Sequence, residues 1–79
     1  MVNELIFVVD DDAPLRGLMR ALLEDKGYAV QDFESGDALL EALDDNPSLI
    51  LLDVMMPGLN GVETLKRVKA SRSDLPVIM

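Results

Sequence analysis

Two short apolar runs constrain this chain most, because each stops abruptly at aspartate. Leu5–Val9 is followed by Asp10, and Leu49–Leu52 is followed by Asp53. Continuous apolar runs of this length, bounded by polar residues, are typical of parallel strands that are buried on both faces. The sequence therefore predicts two central strands whose carboxyl ends carry acidic groups.

Apolar residues at helical spacing lie between these two runs and after the second one. Pro14 suits the first turn of a helix and Gly27 its end, which predicts a first helix over residues 14–26. Ser35 can cap a second helix that ends before the polar residues 44–47, and a third helix runs to about Ser71. Their apolar stripes are Leu15, Leu18, Met19, Leu22 and Leu23; Ala38, Leu39, Ala42 and Leu43; and Val62, Leu65 and Val68.

Two further segments have the composition of strands. Residues 28–33 predict a more exposed edge strand, and residues 75–79 predict a fourth strand. Regular alternation of strand and helix within 79 residues favours one α/β domain with a parallel sheet, rather than a sandwich or a bundle. In such sheets, ligands bind outside the carboxyl ends of the strands.

The charge and the missing residue types narrow the chemistry. A net charge of −8 argues against direct binding to nucleic acid or an anionic membrane, both of which need clustered basic residues. Neither a signal peptide nor an apolar stretch near the roughly 20 residues of a membrane span is visible, which favours a cytoplasmic protein. Cysteine and histidine are absent, so thiolate and imidazole chemistry is excluded, and carboxylates, hydroxyls, amines and backbone groups remain.

The acidic residues form a candidate metal site if the two apolar strands are neighbours. Four carboxylates, those of Asp10, Asp11, Asp12 and Asp53, would then meet at one crevice. Because like charges repel at short range, such a cluster needs a cation or shared protons, and Mg²⁺ prefers oxygen ligands. Asp10 and Asp11 can share the metal, which leaves Asp53 as the candidate phosphoryl acceptor. Alternatively, Asp12 caps the first helix and Asp53 only forms a turn.

Two segments resemble the receiver domains of two-component response regulators. They are IFVVDDD at residues 6–12 and LILLDVMMPGLNG at residues 49–61. The resemblance implies a flavodoxin-like, doubly wound parallel sheet with strand order 2-1-3-4. It also implies that a histidine kinase, a phosphotransfer protein or a small phosphodonor phosphorylates Asp53.

The same resemblance implies a Mg²⁺ site. Asp11 would coordinate the ion directly, Asp10 largely through water, and Met55 through its backbone carbonyl, beside Asp53 itself. Pro57 and Gly58 would shape the following loop.

The resemblance also predicts that residues 1–79 form a partial receiver domain. The family's fifth strand and last two helices, with a Thr or Ser and a Lys that contact the phosphoryl group, would lie beyond Met79. Lys66 and Lys69 are not expected to replace that lysine. We expect the exposed fourth strand, residues 75–79, to mediate self-association.

Two other functions fit parts of the sequence. A haloacid-dehalogenase-like phosphatase would use Asp10 as nucleophile and Asp12 as acid, although Ala13-Pro14 and the loop after Asp53 do not fit it. A non-catalytic interaction or dimerisation module would keep the fold without phosphorylation.

Overall fold

The computed structural model describes residues 4–53 and 61–78 and shows alternating strands and helices. Among those residues, none of the helices is both long and apolar enough to cross a bilayer. A 3₁₀ turn at Leu43–Asp45 follows the second helix. The elements are β1 (Leu5–Val9), α1 (Ala13–Asp25), β2 (Ala29–Phe33), α2 (Gly36–Glu41), β3 (Leu49–Leu52), α3 (Gly61–Ser71) and β4 (Val77–Ile78).

The four strands form one parallel sheet in the order β2-β1-β3-β4. This confirms the predicted 2-1-3-4 order and the edge position of β2. Both apolar runs that end in aspartate are therefore central and adjacent. Their register pairs Val9 with Leu52, the last residue of each strand.

The hydrophobic core lies on both faces of the sheet, because alternate side chains of β1 and β3 point to opposite sides. Phe7, Val9, Ile50 and Leu52 pack with residues of α2 and α3 in one cluster, which includes Leu39 and Val68. Ile6 and Val8 belong to a second, smaller cluster with Val30, against which Met19 and Leu23 of α1 pack. The sheet is thus doubly wound, as predicted.

The α1 side of the sheet is the less completely covered. None of the residues of α1 is buried, and Leu15, Leu18 and Leu22 are exposed. Ile78 on β4 is also 56% exposed, but the predicted exposed strand over residues 75–79 is wrong at its start, because Leu75 is buried in the core and β4 begins at Val77. Apolar surface therefore remains open to solvent on this side.

The structure corrects two details of the predicted helices. Val62 was expected to face inward but is 45% exposed, and Thr64 is the fully buried residue of this turn. Thr64 lies against Gly36 at the start of α2, where a Cβ atom would overlap its side chain. The second helix is also shorter than predicted, since α2 ends at Glu41 and Leu43 is buried from the 3₁₀ turn instead.

Candidate functional site

Backbone pairing places Asp10 and Asp53 next to each other at the carboxyl edge of the sheet. Each follows a residue of the Val9–Leu52 pair, so the two continue adjacent strands by one residue. The Asp53 amide donates to the Val9 carbonyl at 2.9 Å, and the Asp10 amide donates to the Phe33 carbonyl at 3.1 Å. Both main chains are therefore fixed by sheet-like hydrogen bonds up to the acidic residue.

Three carboxylates converge at this edge. One oxygen from each of Asp10, Asp11 and Asp53 lies within 4.8 Å of the others. Asp10 is buried, Asp53 is half-buried and Asp11 is exposed, so the cluster stands at the surface with one wall inside the protein. Negative charges at such separations repel by about 1 kcal/mol per pair in water and more in a lower dielectric. A hard cation with oxygen ligands relieves this repulsion, and the donor set suits Mg²⁺.

Asp12 is not part of this group of three. It is the N-cap of α1, and its carboxylate accepts a hydrogen bond from the Leu15 amide at 3.2 Å. Its own amide donates to Oδ1 of Asp10 at 2.9 Å. The interpretation of Asp12 as a helix cap is therefore confirmed. The turn from β1 into α1 is held by two side-chain acceptors, the carboxylates of Asp10 and Asp12.

A pair of arginines on α1 binds one carboxylate at the end of β2. Arg16 donates from Nε to Asp32 at 2.8 Å, and Arg20 donates from Nη1 to the other oxygen of Asp32 at 2.6 Å. These hydrogen bonds, that from Arg16 first, hold the pKa of Asp32 below its usual value against the opposing effect of desolvation. Arg16 also donates from Nη1 to the main-chain carbonyl of Asp10 at 2.6 Å.

A cavity of about 240 Å³ opens beside the acidic cluster. Asp10 and Asp53 line its polar part, and Met19, Leu51 and Ile78 line its apolar part on the α1 side of the sheet. The cluster is thus accessible to a ligand that approaches from the carboxyl edge.

The predicted site residues have different outcomes. Asp10, Asp11 and Asp53 are brought together, as the strand pattern predicts, while Met55 and the loop residues Pro57 and Gly58 lie outside the described residues. Lys69, which was not expected to replace the family's phosphate-binding lysine, donates from Nζ to the Leu75 carbonyl at 2.5 Å. Sequence reasoning missed Arg16 and Asp32, although an acidic residue near the carboxyl end of a strand and an arginine one turn into α1 were visible signals.

Comparison with known proteins identifies a consistent set of relatives. The sequence profile of the response regulator receiver domain matches residues 6–79. The chain is 44% identical to the transcriptional regulatory protein ResD of Bacillus subtilis over 94% of its own length and 31% of that protein's length. It is 42% identical to FixJ of Bradyrhizobium diazoefficiens, covering 94% of this chain and 37% of that protein, and 46% identical to CpxR of Escherichia coli K12, covering 94% and 32%.

Solved structures agree with these sequence relatives. The N-terminal domain of a response regulator receiver protein from Methanoculleus marisnigri superposes with a TM-score of 0.86 at 41% identity, covering 92% of this chain and 62% of that one. The response regulator TrrA of Thermotoga maritima, solved in complex with Mg²⁺ and BeF, superposes with a TM-score of 0.92 at 31% identity, covering 96% and 67%. The chain therefore spans about a third of the named curated relatives and about two thirds of these solved chains.

Proposed function

Because the chain belongs to the response regulator receiver domain family, we propose that it is the phosphoryl-accepting part of a two-component switch, with Asp53 as the acceptor. The observation that carries this proposal is the convergence of the carboxylates of Asp10, Asp11 and Asp53 within 4.8 Å. An isolated aspartate after a strand has no such environment. Here the acceptor stands beside two further oxygen donors at the open edge of the sheet.

The chemistry assigned to Asp53 is nucleophilic attack on phosphorus. A carboxylate oxygen forms the new P–O bond while the bond to the leaving group breaks, and the leaving group keeps the electron pair. With a phosphohistidine donor the broken bond is P–N, and with acetyl phosphate it is the P–O bond to acetate. Asp53 is suited to this role because its main chain is held by the Val9 carbonyl while its side chain remains half-buried at the edge.

Asp10 and Asp11 are proposed to hold Mg²⁺ together with Asp53, and the backbone carbonyl of Met55 is proposed as a further ligand. When bound, the ion would offset negative charge on the transferring phosphoryl oxygens. The protein's own contribution is positional, since β1 and β3 present acidic residues at the same level of the sheet. In this proposal the domain is a regulatory phosphoacceptor rather than an enzyme acting on other substrates.

The partners follow from this role. A histidine kinase or phosphotransfer protein is the proposed donor, and the site is proposed to work in the cytoplasm. ResD, FixJ and CpxR are named transcriptional regulatory proteins, but this chain matches only about a third of their length, 31%, 37% and 32% respectively. We propose no direct contact between residues 1–79 and nucleic acid, because their net charge is −8.

A labelling experiment tests the acceptor. The chain is incubated with acetyl phosphate in the presence and absence of Mg²⁺, and the phosphorylated residue is mapped by mass spectrometry after reduction of the acyl phosphate with borohydride. We expect Mg²⁺-dependent label on Asp53, none on Asp53→Asn, and undiminished label on Asp12→Asn, which keeps a helix-capping side chain. Label on Asp10 would instead support the phosphatase alternative and overturn the proposal.

A second candidate function is that of an interaction or dimerisation module, and the exposure of Ile78 on β4 favours it. Ile78 is 56% exposed on a strand that ends the sheet among the described residues. Such an edge can pair with a strand of another copy. Light scattering over a range of protein concentrations tests this, and a monomer at the highest concentration would exclude it.

A further inference from the structure

We propose that Arg16 is a positioning residue that holds the β1–α1 turn in the conformation from which Asp10 and Asp11 bind a cation. This inference rests on the proposed function, because it assigns Arg16 a role at the same site. Arg16 itself does not touch the bound ion or the phosphoryl group in this proposal. It acts through the main chain of Asp10.

The guanidinium of Arg16 bridges two anchors. Nη1 donates to the Asp10 carbonyl at 2.6 Å, and Nε donates to the Asp32 carboxylate at 2.8 Å. Its side chain is only 17% exposed, so this geometry is partly shielded from competing water. A planar guanidinium with donors in a fixed fork can serve both acceptors at once. Arg20 binds the other carboxylate oxygen of Asp32 but makes no contact with Asp10 among the hydrogen bonds of the described residues.

The turn needs such a restraint because its own charges oppose it. Asp10, Asp11 and Asp53 bring three carboxylates within 4.8 Å, and their repulsion favours a wider turn. The hydrogen bond from the Asp12 amide to Oδ1 of Asp10 closes the turn from one side. Arg16 holds the turn from the other side by donating to the Asp10 carbonyl, so the Asp10 carboxylate, which accepts from the Asp12 amide, stays available to a cation.

Charge alone and positioning predict opposite signs for the loss of Arg16. Removing a positive charge near a cation site strengthens cation binding by Coulomb's law. Releasing the turn weakens binding, because the ligands must then be ordered when the ion binds. The sign of the change therefore separates the two effects.

Arg20 provides a matched control. Arg16→Met and Arg20→Met each remove one positive charge and one hydrogen bond to Asp32. Arg16→Met also removes the contact with Asp10, whereas Arg20→Met removes an exposed contact with Glu24 on its own helix. Mg²⁺ affinity is measured by NMR titration of the amides of residues 10–12 and 53, with folding checked by circular dichroism. We expect Arg16→Met to weaken Mg²⁺ binding about five-fold, the size of one lost hydrogen bond, and Arg20→Met to leave it unchanged or slightly tighter.

A metal-free readout accompanies the titration. Amide hydrogen exchange at Asp12, whose N–H binds Asp10, should accelerate in Arg16→Met and not in Arg20→Met. If Arg16→Met does not fold, Arg16→Lys takes its place, since an ammonium keeps the charge without the fork. Weaker Mg²⁺ binding by Arg16→Lys than by the parent then supports the proposal, and parental affinity overturns it.

The possible failures are distinguishable. If the parent binds Mg²⁺ through Asp53 but Arg16→Met binds as tightly as Arg20→Met, the role of Arg16 is wrong and the proposed function stands. If the parent does not bind Mg²⁺ at all, both are wrong.

Discussion

At the scale of single residues, the β1–α1 turn divides three consecutive aspartates between different tasks. The carboxylates of Asp10 and Asp11 lie within 4.8 Å of that of Asp53, whereas the Asp12 carboxylate caps α1 by accepting a hydrogen bond from the Leu15 amide. The division follows from the chain direction, because the residue just before a helix has its side chain next to free amides of the first turn. Residues of the same type and nearly the same position therefore differ in their surroundings and hydrogen bonds.

The lowered pKa of Asp32 leads to a prediction about how the free energy of unfolding depends on pH. Hydrogen bonding to Arg16, and also to Arg20, places its pKa below the unfolded value of about 4. A carboxylate with a lowered folded-state pKa contributes stability above its unfolded pKa and loses that contribution as pH falls through the folded pKa. We therefore expect Asp32→Asn to cost about 1 kcal/mol of unfolding free energy at pH 7.

Urea unfolding at a series of pH values measures this cost. The difference between the parent and Asp32→Asn should shrink as the pH is lowered from about 5, where the unfolded carboxylate begins to protonate. Asp74→Asn is a suitable control, because Asp74 is 84% exposed and its carboxylate lies as far as 4.0 Å from Nε of Arg72, so this ion pair contributes little. A difference for Asp32→Asn that is the same at every pH would contradict the assignment.

At the scale of secondary structure, the contact between α2 and α3 depends on a glycine. Gly36 is buried against Thr64, and a Cβ atom at this position would overlap the Thr64 side chain. Because Thr64 is fully buried, it cannot move aside into solvent. We expect Gly36→Ala to destabilise the fold by about 1–3 kcal/mol, and Thr64→Ala in the same chain to recover part of that loss.

Gly17 supplies the opposite expectation with the same substitution. It lies within α1 with nothing near the position of an added Cβ. Gly17→Ala should therefore stabilise the chain by about 0.5–1 kcal/mol through lower unfolded-state entropy and better helix propensity. Thermal unfolding of the two alanine variants measures both effects. An unchanged or higher Tm for Gly36→Ala would contradict this account of the α2–α3 contact, and a lower Tm for Gly17→Ala would contradict the expectation for α1.

The elements differ in how well the sequence predicts them. β1 and β3 were predictable because a continuous apolar run is typical of a strand buried on both faces. The register of the sheet then places Asp10, which follows β1, beside Asp53, which follows β3. The orientation of α3 was not, because apolarity suggested Val62 as an inward residue while the close approach of α2 buries Thr64. The Arg16–Asp32 contact joins α1 to β2, and although both residue types were visible in the sequence, their pairing depends on how the helix packs against the sheet.

At the scale of the whole molecule, the two faces of the sheet are unequally covered. The face under α2 and α3 holds the larger cluster, while the α1 face leaves Leu18, Leu22 and Ile78 more than half exposed. Exposed apolar surface of this kind favours association. The proposed self-association therefore belongs to this face and to β4.

A pair of lysine substitutions tests the location of that contact. Ile78→Lys places a charge on β4, and Val62→Lys places one on α3, where the parent residue is 45% exposed. We expect Ile78→Lys to shift the chain toward monomer in sedimentation velocity experiments, since a charged edge strand resists pairing, and Val62→Lys to leave the distribution unchanged. Equal effects of both substitutions would place the contact elsewhere.

The central claim is that Asp10, Asp11 and Asp53 form one cation site, and Mg²⁺ titration of adjacent aspartate variants tests it most directly. Asp11→Asn and Asp12→Asn remove the same charge one residue apart, but only Asp11 belongs to the group within 4.8 Å. Loss of one carboxylate that ligates a divalent cation is worth at least about 1.4 kcal/mol, so Asp11→Asn should weaken binding about ten-fold or more. Asp12→Asn should change it less than about three-fold, whereas equal weakening by the two variants would contradict the claim.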